Sequence, residues 1–246
     1  DEVGFTSHVD DVRTAGDANS RKALFAELRK HVPLKEGPPE EPGTVIEVLG
    51  NIRYRTENAI ISVPIQKYTD GYLNALGMQD CKSGPVPAKA QQRTEETIKT
   101  VDKDRAEAYR SATGNGIYLA RARRDIQEAV KELARHMQEP RECDYSNALV
   151  LARYLQGTRQ YGVLLQVEQG TTPESAWNID VYDDADWAGC PDTRRSTTGE
   201  TAQVCGCVVE TTSQTQPGLP ALSVGESETR ASCHGAVTAL YLAKLL

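Results

Sequence analysis

Apolar and polar positions along this chain follow two periods, and each change of period marks an element. Residues 20–32, SRKALFAELRKHV, carry apolar side chains at helical spacing, with Ser20 as the expected N-cap. The Pro/Gly-rich run 33–43 breaks that helix. Two β-rich runs in 44–64 flank Thr56, Glu57 and Asn58 and predict a hairpin. Residues 65–78 return to helix, with Gly77 near its end. Residues 79–104 hold two prolines and little periodicity, which predicts a surface connector. From Arg105 to about Gly157 the spacing predicts three helices, the third capped by Asp144 or Ser146, and 161–168 reads as a strand.

Beyond residue 177 the period falls to two. NIDVYDDADWAG, TTGETAQVC and CVVETTSQ predict three short strands. The loop TQPGLP then leads into ALSVGESETRASCHGAVTALYLAKLL, which has helical spacing to Leu246. There is no internal repeat and no low-complexity tract.

Composition narrows this picture modestly. The 246 residues are enough for one large domain or two small ones, and the apolar and charged fractions are those of an ordinary soluble protein. No apolar run approaches the ~20 residues that span a bilayer, and no secretory leader is present, so no membrane partner is expected. The opening DEVGFTSHVDDV has no initiator Met, which predicts a start inside a longer polypeptide. The expected location is intracellular, in cytoplasm or nucleus. The net charge of −7 counts against strong, independent nucleic-acid binding but leaves room for local basic surfaces. The six cysteines read as reduced thiols; without a C-x-x-C pair, small residues on a strand face are preferred over a zinc site.

The candidate chemistry lies in IDVYDDADWAGCPDTRRSTTG (179–199). Strand alternation sets Asp184 and Asp186 on one face and Asp183 on the other. A carboxylate pair on one face repels itself unless a cation sits there, and Mg²⁺ (or Mn²⁺) is the usual hard cation. The alternative is a solvated turn in which acids merely end a strand. SVGESETRA adds Glu226 and Glu228 at the start of the last helix, where acids also suit the helix dipole. A strand carboxylate, two antiparallel strands and a helix-borne glutamate form a nuclease arrangement, because two-metal phosphodiester hydrolysis needs several carboxylates.

These residues carry a resemblance. DADWAGCPDTRRSTTGE followed by ALSVGESETRA resembles the ribonuclease H region of copia-type retrotransposon Pol polyproteins. Asp184 matches that family's first catalytic Asp and Glu228 its catalytic Glu; Asp186 and Glu226 are neighbours of lower rank. YLARARRDIQEAVKELARHMQEP and LARYLQGTRQYGVLL resemble the segment between polymerase and nuclease, and 48–82 resembles the stretch after the polymerase palm. HVDDV resembles the Tyr-Val-Asp-Asp hairpin of reverse transcriptases, which makes Asp10 and Asp11 metal-binding catalytic residues there. The resemblance implies RNA-directed DNA polymerase and ribonuclease H as the parent activities, with Mg²⁺ (or Mn²⁺) as cofactor. It implies an RNA/DNA hybrid or template-primer duplex as partner, and missing segments supplied by the rest of the polyprotein.

The implied fold is α+β. It comprises the end of a polymerase palm with a thumb-like region (1–85), a linker (86–104), a helical connection (105–160) and a truncated RNase H-like domain of three antiparallel strands plus a helix (161–246). Departures from the family pattern matter. His8 stands for Tyr, Arg124 for Pro, Glu200 for Tyr, Thr211 for Trp and Thr229 for Tyr. The fingers, a third palm carboxylate and the nuclease's next catalytic Asp are expected to lie outside the chain, so neither site is expected to be complete. The expectation is a fragment inactive in isolation; the alternative is a non-catalytic remnant that binds nucleic acid or protein.

Basic residues complete the candidates. Arg121, Arg123 and Arg124 lie between two helices, where the resemblance implies phosphate contact. Asp125 and Glu128 are close enough in sequence to pair with them instead. Arg194 and Arg195 follow the acidic strand and either hold a hybrid's backbone or neutralise Asp183 and Asp192. Arg53 and Arg55 read as solvent-facing and Tyr54 as core.

Overall fold

The computed structural model describes residues 3–8, 11–35, 37, 39–90, 94–166 and 178–245. They form a mixed α+β chain that separates into two units, 1–39 and 40–246.

In the first unit β1 (Val3–His8) pairs antiparallel with β2 (Asp11–Gly16), His8 opposite Asp11. Asp10 lies outside the described residues, and the side chain of Asp11 is likewise not described. Helix α1 (Ala18–Leu28) follows. Its N-cap is Asp17, not Ser20. The Asp17 carboxylate accepts from the Asn19 and Ser20 amides at 2.9 Å each, because a short side chain one residue before the first turn reaches those orphan donors.

The second unit opens with a four-stranded antiparallel sheet, β3 (Val45–Val48), β4 (Asn51–Arg55), β5 (Ala59–Pro64) and β6 (Val163–Gln166), in that order. The expected hairpin is thus three strands. Leu49 and Gly50 make an extra turn, both at positive φ (49° and 75°). Strand β6 pairs with β5, not with the strands that follow it in sequence. Gly162 makes that possible, since a Cβ there would overlap the Ser62 carbonyl. Tyr54 is exposed, in register with the exposed Val45 and Ile61. Arg53, on the other face, is pulled inward by Glu40 at 3.1 Å. The expected burial of this pair is therefore reversed.

The core is helical. Helices α2 (Gln66–Ala75), α3 (Lys103–Ala120), α4 (Gln127–Arg135) and α5 (Glu142–Gly157) enclose Tyr72, Leu73, Tyr109, Leu119, Leu151 and Leu155, all fully buried. The two core tyrosines keep their hydroxyls satisfied on carbonyls, Tyr72 on Ala148 at 3.1 Å and Tyr109 on Leu133 at 2.7 Å. Burial drives both phenols' pKa values upward. The third expected helix has Arg141 as its N-cap, not Asp144 or Ser146. Asp144 still serves the cap from inside, accepting the Arg141 amide at 3.0 Å. The connector is tied down at its end, where Thr97 and Lys99 carbonyls accept from Cys143 and Glu142 amides.

Helix α4 carries the next layer. Its apolar stripe, Ala129, Val130 and Leu133, enters the core. Its polar stripe meets a second sheet made of β7 (Ile179–Asp186), β8 (Thr197–Val204) and β9 (Cys207–Thr215). Lys131 donates to Thr197 Oγ1 at 2.9 Å and Arg135 to Thr215 Oγ1 at 2.8 Å, and Glu128 accepts from Ser213. The sheet's other face is covered by α6 (Val224–Leu245). Among the described residues no helix is long and apolar enough to cross a membrane, and no disulfide joins any two of the six cysteines.

Candidate functional site around the acidic strand

β7 ends in a loop whose shape follows from its own residues. Trp187 donates its indole N–H to the Ala221 carbonyl at 3.1 Å, tying the end of β7 to the approach to α6. Ala188 takes positive φ (54°), and its amide donates to Ser196 Oγ at 3.1 Å. The Asp186 carboxylate folds over Gly189, where any Cβ would overlap it. The Asp-Trp-Ala-Gly run is therefore a folding device as well as a motif.

The strand's two faces meet different partners. Val181, Asp183 and Ala185 turn toward α6, where Gly235 approaches so closely that a Cβ would lie 2.6 Å from Asp183 Oδ2 and 3.3 Å from Val181. Tyr182, Asp184 and Asp186 occupy the opposite, exposed face, the shared face that alternation predicts for the two aspartates. Asp184 and Tyr182 line a shallow cleft of about 370 Å³ together with Arg124, Gln127 and Glu128.

Under α6 lies a polar cluster that sequence reading missed. Asp183 and Glu200 are direct cross-strand partners on one face, an arrangement that repels unless it is offset. Ser232 Oγ donates to Asp183 Oδ1 at 2.9 Å, and His234 Nδ1 lies 2.6 Å from Glu200 Oε2. The Glu200 side chain is fully enclosed, and its Oε1 has no hydrogen-bond partner. The usable signal was the helical spacing of Ser232 and Gly235 on a face that must meet β7.

The helix-borne acids are used unequally. Glu226 is a capping residue. It accepts the Leu222 amide at 2.8 Å and pairs with Arg230, and these contacts, the amide first, hold its carboxyl below the usual range. Glu228 is half-buried and makes no hydrogen bond or ion pair among the described residues. The face of β7 that packs against Glu228's helix carries Asp183, so the fold sets Asp184 across the sheet from it. Among the described residues no group of three or more His, Cys, Asp or Glu side chains is placed to hold a metal ion. The residues as arranged do not fit a two-metal centre.

The basic candidates divide in the same way. Arg123 is fully buried. Its guanidinium forks onto Asp125 at 2.9 and 2.7 Å and reaches the Thr158 carbonyl and hydroxyl at 2.8 and 2.7 Å. Arg124 donates to the Val208 carbonyl and, at 2.8 Å, to that of Val209, fastening β9 to the helices. Burial lowers the Arg124 pKa despite nearby Glu210. Arg121, Arg194 and Arg195 stay on the surface. Asp192 is met by Arg141 at 3.2 Å, a partner other than the two arginines that follow it in sequence.

Known proteins resemble this chain, one along most of its length and others over little more than a third of it. It is 31% identical over 228 residues to the uncharacterized mitochondrial protein AtMg00810 of Arabidopsis thaliana, covering 91% of this chain and 88% of that protein. It is 40% identical over 92 residues to the retrovirus-related Pol polyprotein from transposon RE2, and 38% identical over 91 residues to that from transposon RE1, both of Arabidopsis thaliana. Each of these matches covers 37% of this chain and 6% of the polyprotein. No family model and no solved structure matches. The chain belongs to the family of AtMg00810 and is the counterpart of a fragment of a copia-type retrotransposon Pol polyprotein.

Proposed function

We propose that this chain corresponds to the part of a Pol polyprotein that runs from the end of the reverse transcriptase through its helical connection into the RNase H region, and that alone it does not hydrolyse RNA/DNA hybrids. The observation that carries the reading is the order of the last elements. An antiparallel β7–β8–β9 sheet with Asp184 on its first strand is packed against a helix that presents Glu228 in its second turn. The proposed loss of activity rests on the same sheet, because Asp184 and Glu228 lie toward opposite faces and Glu226 is spent on a cap. Chemistry that needs several carboxylates around one phosphodiester loses several kcal/mol of transition-state stabilisation when they are not gathered, and each ~1.4 kcal/mol is tenfold in rate.

The test is a hybrid-cleavage assay. The purified chain is incubated with a labelled RNA/DNA hybrid in Mg²⁺ and then in Mn²⁺, with Asp184→Asn alongside. The expected result is no cleavage above the Asp184→Asn background in either metal. Cleavage that disappears in Asp184→Asn overturns the proposed inactivity and makes Asp184 a working ligand.

A further inference from the structure

A second surface, remote in sequence from the acidic strand, carries its own chemistry. Helices α2 and α3 run antiparallel and meet where Gly71 faces Asn115; a Cβ on Gly71 would lie 2.5 Å from Asn115 Oδ1. That closeness brings Tyr68 and Tyr118, one turn away on each helix, into a stack with ring centroids 5.1 Å apart and planes within 6°. Tyr68 is anchored against the core, whereas Tyr118 is 53% exposed. A cation flanks each ring. Lys67 Nζ is 5.9 Å from the Tyr68 centroid and the Arg121 guanidinium 5.4 Å from that of Tyr118.

The charge around the stack is not neutralised. Elsewhere in the helical unit Arg105, Arg123, Arg135, Arg141 and Arg159 are each paired with a carboxylate. Lys67, Arg110 and Arg121 have no ion-pair partner among the described residues. Arg110, Gly114, Tyr118 and Arg121 follow one stripe of α3, with Arg110 about 12 Å along the helix from Tyr118. Glu107 joins the stripe only a turn beyond Arg110. In a chain of net charge −7 this is a local basic row with an aromatic platform in its middle.

We infer that the Tyr68–Tyr118 stack and its three cations form a binding site for single-stranded nucleic acid. A base takes the place of the Arg121 guanidinium over the Tyr118 ring, which Tyr68 holds rigid from behind, and the displaced Arg121 joins Arg110 and Lys67 on the flanking phosphates. Stacking on an aromatic ring tolerates any base, and lysine and arginine supply the backbone contacts. A duplex keeps its bases stacked inside and cannot use the ring. The site shares no residue with the β7–β9 sheet, so hybrid cleavage and binding here succeed or fail separately.

The experiment is fluorescence anisotropy at low salt with a short labelled oligothymidylate, an abasic oligomer of the same length and a duplex. The expected result is binding of oligothymidylate that weakens with salt and exceeds binding of the abasic oligomer. Tyr118→Ala should weaken it about tenfold, within the range of one base–aromatic stack, and Tyr118→Phe should keep it. Arg121→Gln should reduce the steepness of the salt dependence. Circular dichroism verifies the fold of each variant, and the surface position of Tyr118 makes the Phe variant a sound control. No binding at low salt, equal affinity for the abasic oligomer, or an unchanged affinity in a folded Tyr118→Ala variant would each overturn the site.

Discussion

Arg123→Ala is the sharpest probe of the helical unit, because one side chain there fastens three segments. The guanidinium is fully buried and bonds to Asp125 twice and to Thr158 twice, and it lies between the rings of Tyr154 and Tyr161 at 5.8 and 5.4 Å. Its loss leaves the Thr158 carbonyl with the Tyr161 amide alone and the Asp125 carboxylate with the Tyr154 hydroxyl but no compensating charge. Removing one partner of a buried pair costs about 3–5 kcal/mol. Asp125 is 34% exposed, so water recovers part of its share, and the lower end, about 3 kcal/mol, is expected. At about 2–4 °C per kcal/mol for a chain of this size, the thermal midpoint falls by about 10 °C. Urea unfolding followed by circular dichroism measures the loss directly.

The same variant has a pH signature. Burial raises the Asp125 pKa, but the forked bond from Arg123, the Tyr154 hydroxyl and the Arg123 charge outweigh it and leave the carboxyl below its ordinary value. A group whose folded pKa is lowered adds stability above its unfolded value of about 3.9, and that stability fades as pH falls through the folded value. The parent chain should therefore lose stability as the pH drops below about 4, and Arg123→Ala should show a flatter loss there. A destabilisation under about 1 kcal/mol would refute the argument from burial. So would a variant with an unchanged midpoint that binds duplex less tightly, since that outcome makes Arg123 a surface contact.

Other perturbations test the packing. Gly162→Ala should destabilise by about 2 kcal/mol or more, because the new methyl meets the Ser62 backbone at the β5–β6 pairing, whereas Gly114→Ala, with nothing within 4 Å, should stabilise by about 0.5–1 kcal/mol; thermal melts of the two variants decide the pair. Arg124→Ala removes two donors from β9 carbonyls and should cost about 1–3 kcal/mol, with amide exchange rising in β8 and β9 but not in α5.

The elements were legible in the sequence wherever a period ran long enough. Helices α2, α3, α5 and α6 and strands β7, β8 and β9 all lie where apolar spacing predicts them. What escaped was decided by contacts distant in sequence. Nothing in YGVLLQ says that it pairs with residues a hundred positions earlier; only the need for a glycine beside Ser62 hints at it. The turn at Leu49 requires a leucine at positive φ, which turn preferences do not offer. Among three neighbouring arginines, burial of Arg123 follows from Thr158, which packing brings alongside. The site was half legible. Alternation correctly separates Asp183 from Asp184 and Asp186, but which of the two faces meets α6 depends on tertiary packing.

That choice has a physical cause. With Val181, Asp183 and Ala185 inward, β7 places one valine, one alanine and one carboxylate under α6, and Ser232 bonds that carboxylate beside Glu200. A shift of one residue would put Tyr182, Asp184 and Asp186 under the helix and expose the other three. Two carboxylates from β7 added to Glu200 beneath the helix would need further compensating charge, and His234 is already engaged by Glu200 on this face. The close approach of Gly235 to β7 leaves no room for a tyrosine there. In this sequence, packing alone therefore selects the face that carries Asp183 and sends Asp184 to the cleft beside Arg124 and Glu128. The acids end the strand in crowded company because one is satisfied by the helix, one folds over its own loop glycine, and one is left to water.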